Sequence, residues 1–244
     1  YQKEGLNWLN FLDEMRWGGI LADDMGLGKT LQILAFLQHQ SNKNKSTSLI
    51  VVPTTLLFNW ENEIKKFAPQ LTSMNYYGIH RTKDTAPFKD YDLVFTTYGI
   101  LLRDIEVLSQ FRFNYVVLDE SQAIKNPASR RYKAANLLNA KNRIALTGTP
   151  IENGTFDLFA QMNFVNKGFF GSPANFKDNY SNPIDKEANE VIAGELHRIT
   201  HPFILRRTKE KVAQELPDKT ENIIYCEMES AQRNIYDAYR NEYK

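Results

Sequence analysis

The sequence predicts an α/β fold, in which a parallel sheet carries helices on both faces. Two observations lead to this prediction: short, continuous apolar runs recur up to residue 147, and helix-length segments separate them. Continuous apolar runs are typical of strands that are buried on both faces. Because such sheets bind ligands beyond the carboxyl ends of their strands, we expect the functional residues there.

Five runs are predicted as strands, and the segments between them as helices. The strands are GGILA (18–22), LIVVP (49–53), LVFTT (93–97), YVVLD (115–119) and RIALT (143–147). The helices are TLQILAFLQHQ, LLFNWENEIKKF, ILLRDIEVL and RRYKAANLL. This alternation is how consecutive parallel strands are normally connected.

Three regions are expected along the chain. Residues 1–154 form the core that contains the sheet, residues 155–219 hold a helical insertion and a basic segment, and residues 220–244 hold a candidate strand, ENIIYCEM, and a final helix. Within the insertion, 155–166 and 187–200 are predicted helices. The stretch GSPANFKDNYSNPID between them is rich in turn residues and is predicted to be a loop.

Composition excludes several classes of protein. The 244 residues are 42% apolar and 24% charged, which is typical of a globular domain. A single cysteine, Cys226, excludes a disulfide framework and a Cys-rich zinc cluster. The formal net charge is +1, so a polyanion would bind a local patch. No run is long and apolar enough to cross a membrane, and we expect no membrane partner.

The stretch GGILADDMGLGKTLQ, residues 18–32, is similar to a phosphate-binding loop, G-x-x-x-x-G-K-[ST]. Gly26 and Gly28 let backbone N–H groups turn toward a phosphate, and a helix N-terminus follows. Lys29 is placed to bridge the β- and γ-phosphates, and Thr30 to ligate Mg²⁺. The alternative is a Gly-rich turn without a ligand. The sequence thus predicts a P-loop NTPase that binds ATP and Mg²⁺ through Asp24, Met25, Gly26, Leu27, Gly28, Lys29, Thr30 and Leu31.

Asp23 occupies the position where this motif has its first glycine. Asp adopts unusual backbone angles more readily than most residues, so the substitution is tolerable for the backbone. Since its charge would repel phosphates, we expect the carboxylate to point away from them.

A second motif, YVVLDESQAIKNP, places Asp119 and Glu120 at the end of a predicted strand. A phosphate loop needs a carboxylate for Mg²⁺ and a group that orients the attacking water. We assign the first role to Asp119 and the second to Glu120. Taken alone, such a pair is as well explained by a strand end that caps a helix. Its place after a phosphate loop favours catalysis.

These motifs resemble, in their order, those of the superfamily two helicase-like ATPases, and more narrowly those of the Swi/Snf-type double-stranded DNA translocases. The stretches that carry the resemblance are DDMGLGKT, VVPTTLLFNW, TTYGIL, LDESQAIKNP, ALTGTPIEN and PFILRRTKEKVAQELPDK. The family normally has an acidic residue at the first position of the loop, so the resemblance accounts for Asp23. It implies the N-terminal RecA-like lobe of a two-lobed motor, with a helical insertion after TGTP.

The resemblance implies a DNA-dependent ATPase that translocates on double-stranded DNA and remodels DNA-bound complexes, in a nucleus or a bacterial cytoplasm or nucleoid. The second lobe would supply an arginine finger, for which no motif is found here. Because such fingers contribute roughly a thousandfold to turnover in related systems, we expect weak hydrolysis by this lobe alone. The alternatives are a strand-separating helicase and a non-enzymatic, ATP-responsive module. Intact Lys29, Asp119 and Glu120 argue against the latter.

Further nucleotide-site residues follow from the resemblance, position by position. Gln2 resembles the glutamine that reads the adenine edge. Thr147, Gly148 and Thr149 resemble the motif that couples nucleotide state to the DNA groove. Gln122 is expected to assist catalysis and to contact Thr147 or the γ-phosphate side. The plain alternatives are helix starts for the two glutamines and a turn for the TGT motif.

The DNA contacts implied by the resemblance hold the sugar-phosphate backbone, so no sequence specificity is expected. The candidates are Pro53, Thr54, Thr55, Asn59, Trp60, Thr96, Thr97, Tyr98, Lys125 and Asn126. Trp60 lies on the apolar stripe of its helix and is equally explained as a core residue. Thr96 and Thr97 are equally explained as a strand end.

One clear basic cluster lies in the segment HPFILRRTKEKVAQELPDK and consists of Arg206, Arg207, Lys209 and Lys211. Apolar residues, Phe203 to Leu205, precede it. Two interpretations stay open: the segment packs against the sheet and braces the second lobe, or it touches phosphate.

Overall fold

The computed structural model describes residues 1–43, 45–149, 154–212 and 227–242. The chain forms two compact units, residues 1–212 and residues 213–244, and each is described by itself. In the second unit, the predicted final helix is present over Ser230–Glu242. The candidate strand ENIIYCEM lies almost entirely outside the described residues.

The first unit is built on a sheet with seven strands among the described residues. The strands are β1 (Gly19–Leu21), β2 (Ser48–Val52), β3 (Ser73–Asn75), β4 (Leu93–Thr97), β5 (Arg112–Leu118), β6 (Asn139–Leu146) and β7 (Ile204–Leu205). Neighbouring strands pair in parallel, in the order β3-β4-β2-β5-β6-β1-β7. The predicted parallel α/β sheet is therefore confirmed.

Helices occupy the segments between and after the strands. They are α1 (Gln2–Glu14), α2 (Lys29–Lys43), α3 (Leu57–Phe67), α4 (Tyr98–Arg103), α5 (Ile105–Leu108), α6 (Arg130–Leu137), α7 (Thr155–Val165), α8 (Pro173–Phe176), α9 (Asn182–Glu187), α10 (Glu190–Thr200), α11 (Lys209–Val212) and α12 (Ser230–Glu242). Single helical turns lie at Thr54–Leu56, Ala86–Asp90, Ser121–Ile124 and His201–Phe203, and a π-helical turn at Lys177–Ser181. In the described part of the chain, no helix has the length and apolarity that a bilayer crossing requires.

Two apolar clusters cover the two faces of the sheet. Along β2, Leu49 and Val51 belong to one cluster, and Ile50 and Val52 to the other. Since successive side chains of a strand point to opposite faces, this alternation places one cluster on each face. The first cluster reaches α4, α6 and α7, and the second reaches α1, α2 and α3. Burial on both sides explains why the strands are continuous apolar runs.

Two strands differ from the prediction. β3 is polar and partly exposed, so it lacks the apolar run by which the other strands were found. β7 has two residues and lies inside the basic segment, where Ile204 pairs with Ile20 and Leu205 with Leu21 of β1. The basic segment therefore packs against the sheet, as one of the two interpretations proposed.

The loop predicted over residues 171–185 is wrong, because the structure has α8, a π-helical turn and α9 there. Phe176 is fully buried and packs against Phe159, with ring centroids 5.1 Å apart. The Ser172 side chain accepts a hydrogen bond from the backbone N–H of Asn175, and Pro173 occupies the first helical turn. The turn residues thus start short helices, which is their other common use.

Candidate active site

The loops that follow the parallel strands meet at one edge of the sheet. Strands β5, β6 and β1 are neighbours, and the Asp-Glu pair, the TGT motif and the phosphate loop follow them in turn. An open cavity of about 530 Å³ lies at this edge, lined by residues of the phosphate loop and by Asp119 and Glu120. The topology of the sheet therefore brings the two predicted catalytic motifs to one cavity.

The phosphate loop requires its two glycines. Gly26 has φ +85° and Gly28 has φ +75°, in the left-handed region that side chains disfavour. A Cβ atom at Gly28 would also lie 2.7 Å from Nε2 of Gln2. The loop leads directly into α2 at Lys29, so a helix N-terminus faces the cavity as the motif predicts.

Lys29 is held by the loop itself. Its Nζ donates to the backbone carbonyl of Asp23 at 2.6 Å and to that of Asp24 at 3.4 Å. Burial lowers the pKa of Lys29, and the nearby carboxylates of Glu120 and Asp119 oppose that shift. Carbonyl oxygens carry no full charge, so a phosphate in the cavity would be a stronger partner for this ammonium group.

Gln2 carries a buried acceptor beside the loop. Its Nε2 donates to the Leu27 carbonyl at 2.9 Å. Its Oε1 is buried and has no hydrogen-bond partner among the described residues. A buried acceptor without a donor is costly, and the exocyclic amine of adenine is a donor of the kind that would satisfy it. The side chain therefore fits the adenine-reading role that we predict for it.

The Asp23 carboxylate is fully buried and binds Arg207 instead of facing the phosphate cavity. The Nε atom and the backbone N–H of Arg207 each donate to Oδ1 at 3.0 Å, and Gln32 donates to Oδ2 at 3.2 Å. The prediction that this charge points away from the phosphates is thus confirmed. The partner, Arg207, belongs to the basic segment, and nothing local to the loop indicated it.

Glu120 lies at the cavity in a strained conformation. Its backbone has φ +49°, which is uncommon for a residue with a long side chain. Its N–H donates to Oδ1 of Asp119 at 2.9 Å, and its Oε2 accepts from Nε2 of Gln122 at 2.7 Å. Hydrogen bonds at both the backbone and the carboxylate therefore orient this side chain.

Asp119 is buried beside the cavity, and two side chains from the DNA-side motifs hold it. Burial raises the pKa of its carboxyl group. Trp60 Nε1 donates to Oδ2 at 2.8 Å, and the Tyr98 hydroxyl donates to the Asp119 carbonyl at 2.7 Å. A cation in the cavity would offset the burial of this negative charge.

The donor set at the cavity suits Mg²⁺. Thr30 and Asp119 both line it and supply a hydroxyl and a carboxylate oxygen. Within the described ranges, no group of three or more His, Cys, Asp or Glu could hold a metal. Mg²⁺ is the cation that binds through one or two protein oxygens, because phosphate oxygens and waters complete its shell.

A chain of hydrogen bonds joins the TGT motif to the catalytic carboxylate. Thr147 is fully buried, and its hydroxyl donates to Oε1 of Gln122 at 3.1 Å and accepts from Thr149 N–H at 3.1 Å. Gln122 in turn holds Glu120. The predicted contact of Gln122 with Thr147 is therefore confirmed. Gly148 lies against Met25, whose Cγ would be 3.5 Å from an added Cβ atom.

The predicted DNA contacts divide into buried and exposed residues. Trp60, Thr96, Thr97 and Tyr98 are buried, and this contradicts a contact of their side chains with DNA. Each has another reason to be there: the two aromatic residues bind Asp119, the two threonines end β4, and Thr97 also caps α4. The partly or fully exposed candidates are Pro53, Thr54, Thr55, Asn59, Lys125 and Asn126, for which DNA contact stays a prediction.

Comparisons with known proteins agree with this geometry. The family described as the SNF2-related domain matches residues 1–243. YwqA of Bacillus subtilis (strain 168), whose name describes an ATP-dependent helicase/translocase, is 41% identical over 97% of this chain. Helicase ssl-1 of Caenorhabditis elegans is 38% identical over 98% of it. The chain spans 26% and 10% of these two relatives, respectively.

Solved structures extend the similarity to the fold. The SWI2/SNF2 ATPase core of Sulfolobus solfataricus in complex with dsDNA superposes with a TM-score of 0.82 and 43% identity, over 98% of this chain and 50% of that chain. The same archaeal core domain in a second structure gives a TM-score of 0.80 and 42% identity. The expectation of a RecA-like fold is confirmed.

Proposed function

Because this chain belongs to the SNF2-related domain family, we propose that it is the ATP-binding lobe of a DNA-dependent ATPase that translocates on double-stranded DNA. Members of this family are helicase-like ATP hydrolases, related to chromatin remodellers. The observation that supports the proposal most is the convergence of Lys29, Asp119 and Glu120 on one cavity. These are the ammonium group, metal carboxylate and water-orienting carboxylate that phosphoryl transfer requires.

The nucleotide is bound at two points in this proposal. The phosphate loop and Lys29 hold the phosphates, and Gln2 reads the adenine edge with its buried Oε1. Thr30 and Asp119 would hold Mg²⁺, which neutralises charge on the phosphates as the bond to the γ-phosphate breaks. The distance between these points is set by the protein, so the nucleobase and the phosphates are recognised together.

Hydrolysis depends in this proposal on Glu120, which orients the attacking water and accepts its proton. Gln122 fixes that carboxylate and connects it to Thr147. A second RecA-like lobe would supply an arginine finger, so we propose that residues 1–244 alone hydrolyse ATP roughly a thousandfold more slowly than the two-lobed protein. Turnover by the isolated chain at the two-lobed rate would contradict this.

DNA is held through its backbone in this proposal, by the exposed turn Thr54–Leu56 after β2 and by the region of Lys125 and Asn126 after β5. Hydroxyl and backbone N–H groups at helix starts are suitable phosphate donors. The printed description of the archaeal neighbour, an ATPase core in complex with dsDNA, supports duplex as the ligand. Remodelling of DNA-bound complexes, in a nucleus or a bacterial cytoplasm, completes the proposal.

A strand-separating helicase is the second candidate, since several relatives carry the word helicase in their names. The two activities differ in product. A translocase displaces the third strand of a triplex without opening the duplex, whereas a helicase releases a single strand from a forked duplex. Both assays on the full-length protein, run with the same ATP concentration, distinguish these candidates.

The test of the proposed function is steady-state ATP hydrolysis by the full-length protein. We expect duplex DNA to stimulate the rate more than single-stranded DNA or RNA does, with the effect weakening as salt rises because backbone contacts are electrostatic. Equal rates with and without every nucleic acid would overturn the DNA-dependent part of the proposal.

A further inference from the structure

Arg207 is a buried cation outside the set of residues that the proposed function assigns to the nucleotide. It follows β7 and is 8% exposed. Its guanidinium donates to the Asp23 carboxylate through Nε and Nη2, to Oε1 of Gln32 through Nη2 at 2.7 Å, and to the Tyr1 carbonyl through Nη1. These partners belong to the phosphate loop, to α2 and to the start of α1, the three parts that surround the nucleotide site.

On the phosphate side, one short segment holds two consecutive loop residues. Asp23 binds the guanidinium with its carboxylate, while its carbonyl oxygen accepts from Lys29 Nζ at 2.6 Å. Asp24 N–H donates to the Arg207 carbonyl at 3.0 Å, and the Asp24 carboxylate accepts from Lys209 N–H at 3.1 Å. The position of the ammonium group that contacts the phosphates therefore depends on the segment around Arg207.

On the adenine side, the same guanidinium fixes the start of α1. It lies over the Tyr1 ring, with Cζ 5.2 Å from the ring centroid, and also binds the Tyr1 carbonyl. The next residue is Gln2, whose amide binds the Leu27 carbonyl and leaves Oε1 for the base. Arg207 thus contacts the element that carries the adenine-reading side chain.

A glycine in the middle of α1 is an independent observation on the same network. A Cβ atom at Gly5 would lie 1.8 Å from Oε1 of Gln32 and 3.0 Å from Nη2 of Arg207. Glycine inside a helix is less stable than alanine, so its presence needs a reason. Here the reason is space, because the bond between Arg207 and Gln32 passes where a side chain would be.

We propose that Arg207 is a positioning residue for nucleotide binding, which sets the spacing between the phosphate loop and Gln2. The inference rests on the proposed function, because it requires a nucleotide in the cavity. An ion pair that only stabilises the fold would need Asp23 alone. The bonds to Tyr1 and the space left at Gly5 instead connect the two ends of the nucleotide site.

The test is the binding of a fluorescent ATP analogue with Mg²⁺ to the full-length protein and its Arg207→Lys variant. Lysine keeps the charge but lacks the planar fork that reaches three partners. We expect ATP affinity to fall about tenfold or more, since hydrogen bonds to charged groups are lost. The preference for ATP over GTP should narrow, and KM should rise by a larger factor than kcat falls.

The matched control is Arg81→Lys. Arg81 forms a comparable buried ion pair with Asp104, with Nε and Oδ2 2.6 Å apart, and neither residue lines the cavity. Its replacement tests what the loss of a buried guanidinium does to the fold in general. We expect thermal stability to fall in both variants, but ATP affinity and base preference to change only with Arg207→Lys.

A second pair of variants serves if Arg207→Lys does not fold. Gly5→Ala pushes a methyl group into the network, whereas Gly194→Ala in α10 adds one where no atom lies within 4 Å. Because alanine favours helix, we expect Gly194→Ala to raise the thermal midpoint and leave ATP binding unchanged. Gly5→Ala should weaken ATP binding several-fold and narrow the preference for ATP over GTP.

Each outcome decides between the two levels of the proposal. Wild-type ATP affinity and base preference in Arg207→Lys and Gly5→Ala would overturn the positioning role and leave the proposed function standing. Equal losses in the Arg81 and Gly194 controls would overturn it too, because the effect would then be general. A wild-type protein that binds no ATP would overturn the proposed function and this inference together.

Discussion

The nucleotide side and the DNA side of the sheet lie at the same carboxyl edge, yet the structure treats their motif residues differently. On the nucleotide side, the predicted catalytic residues all line or border one cavity. On the DNA side, four of the predicted contacts are buried. Two of those four, Trp60 and Tyr98, hydrogen-bond to Asp119. A motif assigned to DNA therefore also builds the metal-binding carboxylate of the nucleotide site.

This difference teaches that a motif as a whole can belong to one ligand while its individual side chains serve another. The turn Thr54–Leu56 is exposed, but Trp60 in the following helix points into the core and reaches Asp119. Movement of the turn on binding DNA would be transmitted along one short helix to the carboxylate. The two sides of the molecule are thus physically connected through Asp119.

The largest effect is expected at the nucleotide side, from Glu120→Gln. The amide keeps the shape but cannot accept a proton from water, so kcat should fall by about two to four orders of magnitude. ATP binding should remain. Steady-state hydrolysis by the full-length protein measures this, with Glu63→Gln as control, because Glu63 lines the same cavity from α3. Unchanged activity of Glu120→Gln would show that the catalytic assignment is wrong.

Trp60→Phe tests which side this residue serves. The change removes the indole N–H and keeps an aromatic ring, so Asp119 loses the donor that orients it. We expect the Mg²⁺ concentration for half-maximal hydrolysis to rise about tenfold, as is typical when a partner of a metal ligand is removed. DNA affinity should stay the same. Trp8→Phe is the control, because Trp8 Nε1 instead donates to the Pro202 carbonyl. Lower DNA affinity with an unchanged Mg²⁺ requirement would return Trp60 to the DNA side.

Smaller effects are expected from Thr54→Ala and Thr55→Ala on the exposed turn. Each would remove one backbone contact, and a single hydrogen bond contributes about 1 kcal/mol, so DNA affinity should fall about fivefold per variant. The loss should be equal for DNA of any sequence, because phosphate contacts carry no base information. Titration of labelled duplexes at fixed salt measures it. A loss of ATP affinity instead would blur the distinction between the two sides.

The smallest effect is expected from Thr96→Val, and its sign is opposite. Thr96 is fully buried, and its hydroxyl has no hydrogen-bond partner among the described residues. Valine has nearly the same shape without the hydroxyl, so the free energy of unfolding should rise by about 1 kcal/mol. Denaturant unfolding measures this, and DNA affinity should not change. A clear drop in DNA affinity would mean that the hydroxyl reaches DNA after all.

The elements and motifs whose signal is local were predictable. Lys29 and Thr30 follow the glycines by fixed steps at a helix start, and β2 and β4 are apolar runs of one strand length. β3 and β7 were missed because they are short and lack such a run. The loop over 171–185 was predicted wrongly, since turn residues also start helices and only the burial of Phe176 distinguishes the two.

By itself, the sequence determined the parallel α/β architecture, the phosphate loop and the acidic pair, because backbone geometry relates residues that are a few positions apart. Tertiary structure alone decided the partners of Asp23 and Asp119. Arg207 is 184 positions from Asp23, and Trp60 is 59 positions from Asp119. Such distant pairs meet only because the strand order places β7 beside β1 and packs α3 under the sheet. No spacing within the chain encodes that order.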